Sequence, residues 1–174
     1  LFAPEFKVGA EGRSSPSIPK TARLAPPGRY TVTLKAAGQS MSQPLEVRKD
    51  PNSPGSDADI RTQSELVADL QGDLDQVAEM VNTLEQVRAQ LATLKSVVAD
   101  DQVKAQVDSM DQKVFAVEET LTQLRITGRG QDLIRYPAKV GEKLVYLIGD
   151  VSSTDNAPTT SQRGSVHSRT SWDS

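Results

Sequence analysis

The sequence contains no cysteine and only one histidine, His167, and these two scarcities remove much of the usual chemistry of protein sites. Without cysteine the chain has no disulfide, no thiolate metal site and no cysteine nucleophile. A Ser-His-Asp triad would have to recruit His167, which lies in a stretch without helical or strand periodicity. Zinc prefers sulfur and imidazole ligands, so zinc is disfavoured for the same reason. Nucleophilic and zinc-dependent catalysis are therefore poorly supported.

The chain is also poor in aromatic residues and in excess positive charge. Aromatics make up 4% and hydrophobic residues 36% of its 174 residues, which suits thin helical layers better than a thick globular core. A formal charge of −3 does not favour a nucleic-acid partner. No apolar run approaches the length of a membrane span, and no signal peptide is recognisable. Because the chain begins at Leu1, we expect a processed or partial protein.

The most regular feature that is present is an amphipathic run from about Ala58 to Leu124. Apolar residues recur there at steps of three and four, which places them on one helix face. The run is interrupted near Val98, where Asp100 is a suitable N-cap and Asp101 would favour the positive first turn of a second helix. A connection this short predicts two antiparallel helices. The narrow stripes favour coiled-coil-like pairing.

A third apolar stripe predicts a helix that starts at Pro137 and ends at Val151, after a loop from Gly128 to Arg135. We expect Gly128 to stop the second helix. Residues 157–159 resemble the start of a fourth helix, which the poor helix formers that follow do not extend. Residues 156–174 are therefore predicted to be an irregular tail.

Two alternating runs precede the helices and predict a β-hairpin. The first contains Tyr30–Leu34 and the second Met41–Val47, with a turn at residues 37–39. Pro44 indicates an edge position, because proline cannot donate to a ladder. An isolated hairpin is only marginally stable in water. We therefore expect it to pair with a strand in residues 1–8, to pack against the helices, or to belong to a larger sheet.

The hairpin sequence resembles a known family. Pro26–Leu34 (PPGRYTVTL) and Gln43–Pro51 (QPLEVRKDP) are similar to the last two strands of an immunoglobulin-like module. That module occurs in bacterial exported proteins related to sortilin-type propellers with BNR, or Asp-box, repeats, where a C-terminal helical region follows it. The resemblance implies an exported location, periplasmic or extracellular, and a propeller portion as partner. No propeller or Asp-box lies within this chain, so the glycosidase-like activity of the family is assigned to no residue here.

The expected fold is thus mainly α: an antiparallel three-helix bundle with the stub of a fourth helix, preceded by a β-hairpin. The resemblance makes this hairpin the edge of an immunoglobulin-like sandwich. The expected boundaries are a β segment over residues 1–50, a linker over 51–56, the bundle over 57–155 and the tail over 156–174.

Carboxylates are the remaining candidates for catalytic or metal-binding chemistry. Those at element ends are best placed, because nearby backbone carbonyls could complete an oxygen shell around Ca²⁺. The candidate metal ligands are Asp57, Asp59, Asp100 and Asp101. Helix capping and a solvated helix face are the more ordinary explanation for them.

Two functional hypotheses follow from these residues. The leading one is a non-catalytic helical appendage of an exported propeller-type protein, without a cofactor, whose partner is the propeller portion or a second copy. The alternative is a calcium-dependent hydrolase of labile esters or lactones. In that mechanism a carboxylate-bound Ca²⁺ activates water and another carboxylate acts as the base. Whether the chain is an enzyme stays open on the sequence alone.

Overall fold

The computed structural model describes residues 23–125 and 132–167, which are mostly helical with one β-hairpin. This confirms the predicted mainly helical fold with a preceding hairpin. The elements, in chain order, are β1 (Gly28–Ala36), β2 (Gln39–Val47), α1 (Asp57–Val97), α2 (Asp101–Leu121), α3 (Asp132–Arg135), α4 (Val140–Val151) and α5 (Thr160–His167). The chain divides into two compact units, whose described parts are a helical unit (residues 70–148) and a hairpin unit (residues 23–69 and 149–167).

The hairpin has the register that its alternating residues predict. Strands β1 and β2 pair antiparallel from Gly28 opposite Val47 to Ala36 opposite Gln39. The connecting residues, Ala37 and Gly38, both have positive φ angles of 49° and 76°. Positive φ at both central residues is the geometry of a type I′ turn, whose twist matches that of the flanking strands. Within the described ranges the sheet has these two strands only, so membership of a larger sandwich remains a prediction.

Hydrogen bonds within the hairpin unit stabilise the first turns of α1. Ser56 caps the helix: its hydroxyl accepts from the backbone N–H of Asp59 at 3.1 Å, and its own N–H donates to the Asp59 carboxylate at 2.9 Å. One turn later, the amide nitrogen of Gln63 donates to the carbonyl oxygens of Val151, at 2.8 Å, and of Thr154. This side chain therefore satisfies carbonyl groups at the end of α4 that have no partner within that helix.

The helical unit is held by an apolar core drawn mainly from α1 and α4. Its buried apolar side chains are Leu70, Leu74, Val77, Ala78, Val81, Val107, Leu124, Leu144, Leu147 and Ile148. Helix α4 comes close to both other helices at Gly141. A Cβ atom there would lie 3.3 Å from the carbonyl oxygen of Leu121 and 3.7 Å from Cγ1 of Val77.

The second helix ends earlier than predicted, at Leu121, because Thr122 is held in an extended conformation with φ −141° and ψ 150°. Its hydroxyl donates to Glu142 at 2.9 Å, and the same carboxylate accepts from the backbone N–H of Gln123 at 3.0 Å. Glu142 also accepts from the N–H of Lys139 at 2.9 Å and so caps α4. Polar contacts with a distant residue thus replace the next turn of α2.

Two further boundaries differ from the predictions. Helix α4 begins at Val140 rather than at Pro137, whose carbonyl oxygen accepts a hydrogen bond from the Gln123 side chain at 3.0 Å. A single helical turn, α3, lies within the stretch predicted to be a loop. The possible strand over residues 1–8, the stopping role of Gly128 and residues 168–174 of the tail lie outside the described residues.

The tail, predicted to be irregular from residue 156, contains helix α5. A reciprocal capping box explains its beginning. The hydroxyl of Thr159 accepts from the N–H of Gln162 at 3.2 Å, and the Thr159 N–H donates to the Gln162 side chain at 2.8 Å. The other end of the Gln162 amide donates to Asp150 at 2.7 Å. Capping therefore outweighs the poor helix propensity of this segment.

Candidate interaction surface

Helices α1 and α2 run antiparallel in the helical unit, and ion pairs fix their register. Lys95 of α1 contacts Asp108 of α2 at 2.6 Å, whereas Arg88, one heptad earlier, contacts Asp111 at 2.8 Å and Glu118 at 3.1 Å. The partner's number rises as the α1 number falls, which only an antiparallel pair allows.

Arg88 is the centre of a cluster of charged side chains between these helices. Two of its nitrogens contact the two oxygens of Asp111, a third contact reaches Glu118, and Glu85 lies 3.6 Å away. The guanidinium carbon also lies 5.1 Å from the ring centre of Phe115. Glu118 is fully buried and the Arg88 side chain is 15% exposed. Burial alone would lower the pKa of Arg88, but hydrogen bonds and charge from Asp111 and Glu118 outweigh it and raise the pKa.

This arrangement favours a structural role for the cluster. The guanidinium is already engaged by carboxylates, so it is a poor receptor for a substrate anion. Its paired contacts set the register of α1 against α2, since a shift along either helix would leave buried charge unpaired. The apolar periodicity of α1 does not predict the role of Arg88. The available signal was a charged residue within the apolar stripe between Leu84 and Leu91.

An apolar groove lies between the same two helices. It is lined by Gln76, Glu79, Met80, Thr83, Leu84, Val117 and Leu121. Met80 is 46% exposed, and Val117 is 53% exposed although it belongs to the apolar stripe of α2 that predicts burial. The groove therefore exposes apolar side chains to solvent. In coiled-coil-like assemblies such a face usually packs against another helix.

The two candidate metal ligands at the start of α1 lie in its first turn. Asp59 accepts from the hydroxyl of Ser56 at 2.7 Å and from its N–H. Hydrogen bonds from that hydroxyl, and then from that N–H, hold the pKa of Asp59 below its usual value of 3.8. Asp57 is exposed beside it. The Asp59 carboxylate is therefore already occupied by a capping role.

The other two candidates lie at the start of α2. Asp100 is the N-cap that the sequence predicts, and one of its oxygens accepts from the N–H groups of Gln102 and Val103 at 2.7 and 3.3 Å. Asp101 is 95% exposed and contacts Lys104 at 3.1 Å. Within residues 23–125 and 132–167, no group of three or more histidine or acidic side chains could hold a metal ion.

The hairpin unit presents a second apolar surface. Side chains that alternate along both strands share one face of the sheet, and most of them are exposed. The exposed apolar residues of the two strands are Tyr30, Val32, Leu34, Met41 and Leu45. The face is continuous, because Tyr30 opposes Leu45 and Leu34 opposes Met41.

Comparisons with protein-family models, with curated proteins and with solved structures found no match to this chain. The resemblance to the sortilin-type propeller proteins therefore stays an expectation from the sequence. Among the helices that the structure describes, none is both long enough and apolar enough to cross a membrane.

Proposed function

We propose that this chain is a non-catalytic helical interaction module. The groove between α1 and α2 carries the proposal, because apolar side chains such as Met80 and Val117 remain exposed along it. Exposed apolar surface of this kind is costly in water and marks interaction sites. Asp59 and Asp100 already cap helices and Asp101 pairs with Lys104, which agrees with a role in structure.

The proposal includes an antiparallel three-helix bundle of α1, α2 and α4. The approach of Gly141 to Val77 and Leu121, and the hydrogen bonds of Glu142, support this packing in the helical unit. By its resemblance to the propeller proteins, the module is the C-terminal appendage of an exported protein. Its partner is then the propeller portion or a second copy of the chain.

A fluorescent probe tests whether the groove is an accessible interaction surface. We expect dilute protein to bind 8-anilinonaphthalene-1-sulfonate, and Val117→Glu to lose the part of this binding that the groove contributes, because a charge enters the apolar face. Gln112→Glu is the matched control, since Gln112 is an exposed residue of the same helix outside the groove. Equal dye binding by the wild type and Val117→Glu would contradict the proposal, provided that circular dichroism shows both folded.

The hydrolase alternative is tested directly. Cleavage of an activated ester and of a lactone is measured with Ca²⁺, with EDTA, and after Asp→Asn changes at residues 57, 59, 100 and 101. We expect no cleavage above the buffer rate under any of these conditions. Cleavage that needs Ca²⁺ and is lost in one pair of variants would overturn the non-catalytic proposal and assign the metal site to that pair.

A further inference from the structure

Three pairs of apolar residues follow one another along the two helices that form the groove. The pairs are Met80 with Val117, Val87 with Met110, and Leu94 with Val103. Each step moves seven residues up α1 and seven residues down α2, which keeps antiparallel helices on one common face. Because the first pair lines the groove, the same face extends through the other two. All six side chains are between 36% and 53% exposed.

The residues flanking this six-residue face carry almost no charge. Their outward neighbours are Gln76, Thr83 and Gln90 on α1, and Gln106, Lys113 and Thr120 on α2. Glu79 also lines the groove, so the face has one charge of each sign. Interface centres are typically depleted of charged residues. A face with no net charge can also meet a copy of itself without like-charge repulsion.

We propose that the six-residue face pairs with the same face of a second copy of this chain, so that two α1–α2 pairs form a four-helix assembly. The inference rests on the proposed interaction function and names its partner. An isologous contact of this kind closes after two copies, as in most homodimers. The apolar pairs of one copy would then fill the positions that a covering helix occupies in a helical bundle.

The dimensions of the face suit a reversible dimer. From Gln76 to Val97 the helix spans about 32 Å at its usual rise per residue. Two neighbouring helices present a surface about 20 Å wide, so the face measures roughly 600 Å² per copy. Two such faces bury roughly 1,200 Å², the lower end of the range for specific interfaces. Association should therefore depend on protein concentration.

Sedimentation velocity of the full chain over a wide concentration range tests the inference. We expect wild type and Gln112→Glu to dimerise and Met110→Glu to stay monomeric at tenfold or more higher concentration. Gln112 lies about 200° around the helix from Met110, which makes it a matched control. If Met110→Glu does not fold, Met110→Ala replaces it and should weaken the dimer measurably. A dimer that Met110→Glu leaves unchanged would overturn the inference, because it would use another surface.

Cross-linking locates the contact, and the absence of cysteine makes the labelling specific. A bismaleimide should join two copies of Met110→Cys, from the middle pair, but not two copies of Gln112→Cys. A wild-type chain that stays monomeric yet binds dye when dilute would overturn the second-copy inference and leave the interaction function standing. A monomer that binds no dye would overturn both, since the groove would be covered within the chain.

Discussion

The two halves of α1 carry the same apolar repeat but differ in what covers it. In the first half, Leu70, Leu74 and Val81 are at most 1% exposed. In the second half, Leu84 and Leu91, which continue the heptad position of Leu70, are only half-buried. The buried core of the helical unit also draws on α4, which approaches the first half near Val77. The repeat thus determines which face is apolar, whereas burial depends on a neighbouring helix.

The halves also differ in how they pair with α2. One heptad position holds Leu74 and Val81 in the covered half, and Arg88 and Lys95 in the uncovered half. The cations there meet Asp111, Glu118 and Asp108. Charge is tolerated at this position because it is paired, and the pairs specify the register of α1 against α2. The covered half is held by apolar packing, and the uncovered half is aligned by ion pairs.

The largest expected loss of stability tests whether the two halves of α1 differ in burial. Leu74→Ala should lower the free energy of unfolding by about 2–5 kcal/mol, because it leaves a cavity in the covered half. Leu94→Ala should cost less than about 1 kcal/mol in the monomer, because its side chain is already 44% exposed. Urea unfolding of dilute protein measures both. Equal losses would mean that the two halves are equally covered in solution.

The second effect concerns the ion pairs of the uncovered half. Arg88→Met should destabilise the chain by roughly 3 kcal/mol, because it leaves Glu118 buried without its guanidinium partner. Lys95→Met, which removes an exposed pair, should change stability by less than about 1 kcal/mol. Adding Glu118→Leu to Arg88→Met should recover part of the loss. A double variant no more stable than Arg88→Met in urea unfolding would argue against buried charge as the cause.

The predictable parts of the structure are those that local residues decide. The steps of three and four predict α1 and α2, and Asp100 predicts the boundary between them. The alternation in Tyr30–Leu34 predicts the hairpin, although its turn is shorter than expected by one residue. Helix α5 is also predictable, because Thr159 and Gln162 have the spacing of a capping box. The poor helix formers that follow Thr159 favoured an irregular tail instead.

The remaining features depend on residues that are distant in the chain. The end of α2 at Leu121 depends on Glu142 of α4, which accepts hydrogen bonds from Thr122 and Gln123. The Arg88 cluster depends on the register of α2, which periodicity alone does not specify. The α2 side of the groove is predictable from the stripe that contains Val117, whereas Met80 of α1 lies beside the predicted stripe.

The third prediction uses two glycines to sharpen the comparison within the covered half. Gly72→Ala should stabilise the chain by about 0.5–1 kcal/mol, because alanine is the better helix former and the site has open space. Gly141→Ala should give no gain and is expected to destabilise, since its Cβ would crowd the carbonyl oxygen of Leu121 at 3.3 Å. Thermal unfolding compares the two variants. A gain at Gly141 equal to that at Gly72 would mean that α4 does not pack closely there.

The smallest expected effect concerns the first turn of α1, where Ser56 and Asp59 cap the helix. Because the pKa of folded Asp59 lies below its usual 3.8, the unfolded state takes up the proton first as the pH falls. The stabilisation is therefore complete above pH 3.8 and is lost as the pH falls through the folded pKa. Asp59→Asn keeps a hydrogen-bonding side chain but does not titrate, so its stability should fall less steeply between about pH 6 and pH 3. Urea unfolding at a series of pH values measures both slopes, with Asp57→Asn as the control for a neighbouring exposed charge. Parallel curves for wild type and Asp59→Asn would show that the cap does not hold the start of α1 in solution.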